Sequence, residues 1–301
     1  MKDFLSIDQY TTEDLRAILT LAREQKPLAR EHRLPHTHSN RILACVFAKP
    51  SLRTRVSFEV GFRQLGGETL FITDKEIGMG TRESVYDVAK VMSRFCDGIM
   101  IRWFDHEEVV QLARHADVPV INGLTDLSHP CQVMADIMTV EEHLGSIDGK
   151  TVVMVGDGNN LANSWLNAAI RFPFNFILAC PEGYEPDEKI MNKAEAAGAS
   201  FMITYDPKEA VEGAHVIYSD AFYSMGQEEE AVKRRKDFAP FQISTELLAG
   251  ADKEHIVLHC LPAHRGEEIT DEVMDGPHSV VFDEAENRMH AQRAIMATLI
   301  K

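Results

Sequence analysis

Short apolar runs alternate with amphipathic stretches along the whole sequence, and this alternation constrains the fold more than any other feature. The apolar runs of the first half are residues 42–47, 68–72, 98–102 and 118–121. Those of the second half are residues 151–155, 175–180, 200–203, 215–218 and 255–258. Strands that alternate with helices in this way form parallel sheets covered by helices on both faces. We therefore predict an α/β protein with two doubly wound parallel-sheet domains, each a sheet flanked by helices.

The segment 145–150 separates the two series of apolar runs and is the predicted domain junction. It places the first domain at residues 1–143 and the second at residues 144–284, followed by a final helix at residues 285–301. Ligands of open parallel sheets bind beyond the carboxyl ends of the strands. We therefore expect the active site in the cleft between the two domains.

The composition of the 301 residues suits two globular domains and excludes several classes of function. The formal net charge is −16, from 31 Lys and Arg against 47 Asp and Glu, which argues against nucleic-acid or anionic-membrane partners. The sequence has no N-terminal signal and no apolar run near the roughly 18 residues of a membrane span. Its 5 cysteines are scattered without a CxxC pair, which favours a reducing compartment over disulfides or structural zinc. We predict a cytoplasmic protein.

A predicted strand–turn–helix unit at residues 49–55 carries the first candidate site. Ser51 stands at the predicted helix N-cap, where unpaired backbone N–H groups and the helix dipole attract anions. Ser51 and Thr54 add hydroxyl groups, and Arg53 and Arg55 add guanidinium groups that suit phosphate oxygens. We expect Arg53 to bind a phosphate or another dianion and Arg55 to support it. The alternative is a capped surface helix with two solvated arginines.

The turn Gly-Asp-Gly-Asn-Asn at residues 156–160 allows a different hypothesis. A strand, a Gly-x-Gly turn and a helix begin a dinucleotide site, and Glu182 stands at roughly the spacing of a ribose-binding acid. However, Leu161 replaces the third glycine, and two asparagines stand where a pyrophosphate needs open backbone. An NAD-dependent oxidoreductase is therefore the less favoured interpretation.

Six motifs, taken in their order along the chain, carry a resemblance to a known family. They are residues 47–59, His-Pro-Cys-Gln at 129–132, Gly-Asp-Gly-Asn-Asn at 156–160, residues 220–227, His-Cys-Leu-Pro at 259–262 and residues 283–288. Within the first motif, Ser51-Leu52-Arg53-Thr54-Arg55 resembles the Ser-x-Arg-Thr-Arg signature of aspartate and ornithine carbamoyltransferases. The last four motifs resemble the ornithine enzymes. The resemblance implies transfer of the carbamoyl group of carbamoyl phosphate to the δ-amine of L-ornithine, which gives L-citrulline and phosphate in arginine biosynthesis.

For carbamoyl phosphate, the resemblance implies that cationic and hydroxyl groups hold the phosphate. Arg102, at the end of a predicted strand, and Arg288, in the final helix, would join the first motif there. His129 would donate to the carbonyl oxygen, on which negative charge grows as the amine attacks, and Gln132 would hold the carbamoyl nitrogen. The implied ligands of carbamoyl phosphate are Ser51, Leu52, Arg53, Thr54, Arg102, His129, Gln132, Cys260, Leu261 and Arg288.

For ornithine, the resemblance implies ligands of both charged groups of the amino acid. Asp220 and Ser224 would hold the α-amino group, while Asn160 and the Met225 backbone would hold the α-carboxylate. Cys260 would face the side-chain amine. The implied catalytic residues are His129, Cys260, Asp220 and Arg102. No metal or organic cofactor is implied, and the implied partners are the two substrates and further copies of the chain in a homotrimer or a multiple of trimers.

Two features depart from the family pattern and keep alternatives open. Leu52 replaces a threonine common in ornithine enzymes, and a bulky residue there resembles the enzymes that act on N-acetylornithine. In the polar loop 73–83, only Glu76 stands near the place of a glutamine that often touches carbamoyl phosphate in the family, and we do not assign it that role. The alternatives are transfer to a related amine, such as N-acetylornithine or putrescine, and a non-catalytic regulatory protein on the same scaffold. Aspartate is disfavoured because Asp220 would repel a second carboxylate.

The resemblance also implies that the final helix packs back on the first domain.

Overall fold

The computed structural model describes residues 2–223 and 230–301 of the chain. The chain forms two compact units, Met1–Met138 with Glu286–Lys301 and Thr139–Ala285. Each unit is built around one parallel sheet flanked by helices, so the predicted α/β class with two parallel sheets is confirmed. The boundary between the units falls between Met138 and Thr139, inside a helix, whereas the sequence pattern places it after residue 143.

The first unit contains a four-stranded parallel sheet in which one of the two central strands, residues 42–47, is almost wholly buried. Its strands are β1 (Ile42–Phe47), β2 (Glu68–Thr73), β3 (Gly98–Arg102) and β4 (Val120–Leu124), in the order β2-β1-β3-β4. Its helices are α1 (Thr12–Arg30), α2 (Leu52–Gln64), α3 (Asp74–Ile77), α4 (Val85–Phe95), α5 (His106–His115) and α6 (Pro130–Leu144), of which α6 continues into the second unit. Burial of β1 from Leu43 to Phe47 explains its unbroken apolar sequence, since helices cover both faces of such a strand.

The second unit repeats this architecture with a larger sheet. Its strands are β5 (Thr151–Val155), β6 (Asn175–Ala179), β7 (Phe201–Thr204), β8 (Val216–Ser219) and β9 (Ile256–His259), in the order β7-β6-β5-β8-β9. Its helices are α7 (Asn160–Ala169), α8 (Glu188–Ala196), α9 (Pro207–Val211), α10 (Ala231–Phe238) and α11 (Asp271–Met274). The last helix, α12 (Val281–Leu299), begins in this unit and ends in the first. Within residues 2–223 and 230–301, no helix combines the length and apolarity that a membrane span requires.

The segment 73–83 differs from the sequence prediction, because it contains the helical turn α3 rather than loop alone. The backbone N–H and the hydroxyl of Thr73 both donate to the Glu76 carboxylate at 2.7 Å. This reciprocal cap satisfies groups that the start of a helix leaves unpaired, and it stabilises the turn. Glu76 is thereby engaged in capping its own helix.

A buried arginine fixes the end of α12 within the first unit. Arg293 is fully buried and donates to Gln25, Gln64 and the Nδ1 atom of His290. Burial lowers the pKa of Arg293 to about 10, so the guanidinium remains charged at neutral pH. Because its acceptors are neutral groups, the charge is solvated by hydrogen bonds alone, and a second positive charge beside it would be unfavourable.

Protonation of His290 would place such a second positive charge beside Arg293. Burial lowers its pKa to about 4, and its Nε2 atom lies 2.9 Å from the Glu286 carboxylate. Arg30 donates two hydrogen bonds to the same carboxylate, and these bonds contribute most to lowering the pKa of Glu286 to about 2. In the folded state, His290 therefore stays neutral at pH values well below the pKa of an ordinary histidine.

We predict that His290 makes the protein less stable as the pH falls from about 6.5 towards 4. In this range the unfolded chain binds the imidazole proton and the folded chain does not, so the free energy of unfolding falls by up to about 1.4 kcal/mol per pH unit. His290→Gln keeps an amide that can donate to Glu286 and accept from Arg293. Urea unfolding at several pH values should show a shallower pH dependence for this variant. Equal slopes for the parent and His290→Gln would contradict the assignment, and the exposed His36→Gln serves as the control.

Candidate active site

The start of α2 has the N-cap geometry that the sequence predicts. Ser51 is the N-cap in extended conformation, with φ −156° and ψ 112°, and its hydroxyl accepts the Thr54 N–H at 3.3 Å. Phe47, at the end of β1, pairs with Arg102 at the end of β3. The order β1-β3-β4 therefore places the chain segments that leave these three strands beside one another, at one edge of the sheet.

The hydroxyl oxygen of Thr54 is the point at which the predicted phosphate ligands of the first unit converge. It lies 3.1 Å from the Ser51 hydroxyl, 3.5 Å from Nη1 of Arg102 and 2.8 Å from Nη2 of Arg288. Thr54 is fully buried, and Arg288 is buried as well. Two guanidinium groups that share one neutral acceptor repel each other, so the arrangement favours binding of a doubly charged anion.

The remaining residues of the turn differ in their burial and in their contacts with neighbouring side chains. The Nε atom of Arg55 donates to Glu59 at 2.8 Å, and its guanidinium lies 3.9 Å from the centre of the Phe71 ring. Arg53, in the first turn of α2, is half-buried. Leu52 is 74% exposed to solvent. These environments are consistent with Arg53 as the anion ligand and with Arg55 in a supporting role.

His129 lies in the same half-site and is held in its neutral form. It immediately precedes α6 and is buried. Burial, followed by the charges of Arg288 and Arg102, lowers its pKa well below that of an ordinary histidine. A neutral imidazole carries one N–H donor, which suits polarisation of a carbonyl oxygen. The same two arginines contact Thr54, so His129 and the anion ligands belong to one cluster.

Gln132 follows His129 by one turn, and its backbone N–H donates to the His129 carbonyl at 3.2 Å. Its side chain is fully buried, and Nε2 donates to Oδ1 of Asp136 at 2.8 Å. Asp136 is also fully buried, and the sequence motifs did not single it out. Spacing alone could have indicated the contact, because glutamine and aspartate four residues apart lie on one face of a helix.

In the second unit, sheet order brings three motifs to one edge. β8 lies between β5 and β9, and Ser219 pairs with both Val155 and His259. The residues that follow these three paired residues are Gly156, Asp220 and Cys260. The Gly-Asp-Gly-Asn-Asn turn, the predicted amine ligand and the predicted catalytic thiol are therefore neighbours.

The carboxylate of Asp220 organises this second half-site. Its Oδ1 accepts from the Cys260 thiol at 2.9 Å and from the Ala221 N–H at 2.8 Å. Its Oδ2 accepts from Nδ2 of Asn159 at 2.9 Å. Asn159 also caps α7 through the N–H groups of two following residues, so helix start and carboxylate are fixed together. Asn160, the predicted carboxylate ligand, begins α7 directly after it.

A buried histidine and glutamate support the segment that follows Cys260. His259 accepts the Leu261 N–H on Nδ1 at 2.9 Å, and its Nε2 lies 3.1 Å from Oε1 of Glu268. Glu268 is fully buried and also accepts the backbone N–H of His264. The backbone of Leu261 adopts φ +57°, a left-handed conformation that costs about 1–3 kcal/mol for such a residue. The bond from Leu261 to His259 helps hold this conformation. Sequence motifs name Cys260 and Leu261 but give no role to Glu268.

A salt bridge ties the glycine-containing turn to the chain after Asp220. Nη1 of Arg234 donates to Asp157 at 2.9 Å and to the Phe222 carbonyl at 2.9 Å. Burial raises the pKa of Asp157, and the Arg234 charge partly offsets this shift. Ser224 and Met225, the other predicted ornithine ligands, lie outside the described residues.

The glycine-containing turn also accounts for Gly158 without a dinucleotide. A side chain at Gly158 would come within 2.3–2.5 Å of the backbone of residues 184–186. The Gly158 N–H donates to the Tyr184 carbonyl at 2.8 Å. Gly158 is therefore required by the close approach of another backbone segment, and it gives no independent support to a pyrophosphate site.

Comparison with known proteins covers both units. Residues 2–142 match the carbamoyl-P binding domain of the aspartate/ornithine carbamoyltransferases, and residues 148–299 match their Asp/Orn binding domain. An ornithine carbamoyltransferase of Pelobacter propionicus is 54% identical over 300 residues, which cover 99% of this chain and 98% of that protein.

Solved structures agree with this match. The ornithine carbamoyltransferase from Pyrococcus furiosus superposes with a TM-score of 0.96 at 47% identity, covering 99% of this chain and 97% of that one. An N-acetyl-L-ornithine transcarbamylase superposes with a TM-score of 0.88 at 32% identity, and each chain is covered completely, at 100%. The family predicted from the six motifs is thereby confirmed, and the chain belongs to the aspartate/ornithine carbamoyltransferase family.

Proposed function

We propose that the protein transfers the carbamoyl group of carbamoyl phosphate to the δ-amine of L-ornithine, giving L-citrulline and phosphate. The observation that carries the proposal is the contrast between the two half-sites. The first gathers two arginines around Thr54, which suits a phosphate dianion. The second is centred on the Asp220 carboxylate, which suits an amino acid with ammonium groups. The names of the relatives, ornithine carbamoyltransferases from several organisms, support the same substrate pair.

In the proposed reaction, the lone pair of the δ-amine forms a bond to the carbonyl carbon. The bond from that carbon to the bridging oxygen breaks, and phosphate leaves with the electron pair and takes up the proton that the amine loses. Ser51, Arg53, Thr54, Arg102 and Arg288 stabilise the charge on the departing phosphate. Arg102 and Arg288 already lie against Thr54, which reduces the reorganisation that the reaction requires.

His129 and the Asp220 cluster act on the other two charges of the reaction. His129 donates its N–H to the carbonyl oxygen, which becomes negative as the amine attacks. The neutral imidazole makes this bond without repelling Arg102 and Arg288 further. An alkyl amine has a pKa near 10, as lysine does, so loss of its proton is part of the barrier. Cys260, hydrogen-bonded to Asp220, orients the amine during this loss.

N-acetylornithine is the alternative acceptor that most needs testing. A structure of an N-acetyl-L-ornithine transcarbamylase is among the neighbours. The bulky side chain of Leu52 also resembles that class. Acetylation removes the α-ammonium charge that Asp220 and Ser224 would hold. Asp220, oriented by Asn159 and Cys260, therefore favours ornithine over N-acetylornithine. Putrescine lacks the α-carboxylate that Asn160 would hold. A non-catalytic role is disfavoured by the retained cluster of His129 with its arginines.

The exposed apolar face of the first unit supports a homotrimer. Leu52, Val56 and Val60 recur every four residues on α2 and are exposed, and the edge strand β2 adds exposed Leu70 and Phe71. Contiguous exposed apolar side chains mark interaction surfaces, and an edge strand offers backbone groups for further contacts. The free thiols of all 5 cysteines fit our proposal of a cytoplasmic location.

The proposed function is tested directly by measuring the carbamoylated product that forms from carbamoyl phosphate and each of three amines: ornithine, N-acetylornithine and putrescine. We expect ornithine to give the highest kcat/KM. Asp220→Asn should remove most of this activity, because the amide cannot balance the ammonium charge. A preference for N-acetylornithine in the parent protein would contradict the proposed acceptor, and no carbamoylated product with any amine would contradict the function.

The role of Arg53 is tested by binding of carbamoyl phosphate alone, measured by calorimetry. We predict that Arg53→Ala weakens the affinity about ten- to hundredfold, since a hydrogen bond to a charged group contributes roughly 1.5–3 kcal/mol. Arg63→Ala, at the other end of α2, is the matched control and should bind normally. Equal affinities of Arg53→Ala and the parent would show that Arg53 is a solvated surface arginine.

A further inference from the structure

Helix α6 carries a polar row that the proposed mechanism uses only in part. His129, Gln132 and Asp136 are spaced by three and four residues and so lie on one face of the helix. Gln132 and Asp136 are both fully buried, and Nε2 of Gln132 lies 2.8 Å from Oδ1 of Asp136. His129 and Gln132 have proposed contacts with the substrate. Asp136 lies one turn further along the helix and has none.

The contact with Asp136 fixes the orientation of the Gln132 side-chain amide. A primary amide has two donors on its nitrogen and an acceptor oxygen, and rotation by half a turn about its last side-chain bond exchanges them. The Asp136 carboxylate accepts a hydrogen bond from the nitrogen. The opposite orientation would place the Gln132 oxygen against a carboxylate oxygen, and two acceptors in contact repel each other. The oxygen of Gln132 is therefore directed away from Asp136.

We propose that Asp136 is a positioning residue that makes the enzyme specific for a carbamoyl donor. By holding the nitrogen of Gln132, Asp136 presents the oxygen of Gln132 to the amino group of carbamoyl phosphate. This inference rests on the proposed function, because it assumes that Gln132 contacts the carbamoyl nitrogen. It goes further by assigning the choice of the transferred group to a residue that does not touch the substrate.

The proposed selection favours carbamoyl phosphate over acetyl phosphate. Acetyl phosphate has the same phosphate and the same carbonyl group as carbamoyl phosphate, and it carries a methyl group of similar size in place of the amino group. The phosphate ligands and His129 contact parts that the two molecules share, so they cannot distinguish them. An acceptor fixed against the amino group does distinguish them, because a methyl group leaves that buried acceptor without a hydrogen bond.

The experiment compares the dissociation constants of carbamoyl phosphate and acetyl phosphate, measured by calorimetry without ornithine. In Asp136→Leu, no acceptor holds the Gln132 nitrogen, so either end of the Gln132 amide can face the substrate. We expect the ratio of the acetyl phosphate to the carbamoyl phosphate dissociation constant to fall about tenfold, from weaker binding of carbamoyl phosphate. Equal weakening of both ligands, with an unchanged ratio, would show that Asp136 supports the fold alone and would overturn the proposal.

Two further variants complete the test. Asp97→Asn alters another carboxylate of the first unit, which accepts from the Ile42 N–H at 2.8 Å and from Arg41, and it should leave the ratio unchanged. If Asp136→Leu does not fold, Asp136→Ala removes the same acceptor with a smaller side chain and leaves Gln132 in place. It should show the same fall in the ratio, and an unchanged ratio would again overturn the proposal.

The outcomes also separate this inference from the proposed function. A parent protein that forms citrulline while Asp136→Leu keeps the parent ratio refutes the role of Asp136 alone. A parent protein that neither binds carbamoyl phosphate nor forms citrulline refutes the proposed function and the inference with it.

Discussion

The convergence of positive charge on one buried hydroxyl is the interaction on which the first half-site depends. Thr54 from α2 accepts hydrogen bonds from Arg102 at the end of β3 and from Arg288 in α12. Both guanidinium groups carry positive charge beside this neutral oxygen, and such an environment favours an anion. Burial, followed by the same charges, lowers the pKa of His129, and a neutral imidazole can polarise a carbonyl without adding a further positive charge. In the proposed function, binding and catalysis therefore share one electrostatic arrangement.

In the proposed function, the second half-site attracts a cation and then allows it to lose a proton. Asp220 supplies the negative charge, and its two oxygens are oriented by Asn159, Ala221 and Cys260. Neighbouring strand ends place these groups side by side. The buried pair of His259 and Glu268 holds the backbone next to the Cys260 thiol. Side chains that never reach the substrate therefore fix the geometry of those that do.

Much of this organisation could be predicted from the sequence, because it follows local patterns. The apolar runs predict the strands, and Ser51 predicts the start of α2, because a serine before an amphipathic stretch is a common N-cap. Glu268 could not be assigned in this way, since its partner His259 contacts it through the folding of an irregular segment. The capped turn α3 was missed because glycine and polar residues dominate its segment. Local rules find elements and caps, while buried polar contacts between distant segments require the structure.

The most direct test of the account is the affinity of Thr54 variants for carbamoyl phosphate, measured by calorimetry. Thr54→Ser keeps the hydroxyl and Thr54→Val keeps the shape. The account predicts that the serine variant binds nearly as well as the parent, while the valine variant binds about ten- to hundredfold more weakly, because Arg102 and Arg288 lose their common acceptor. Equal affinities of the serine and valine variants would contradict the central role of the Thr54 hydroxyl.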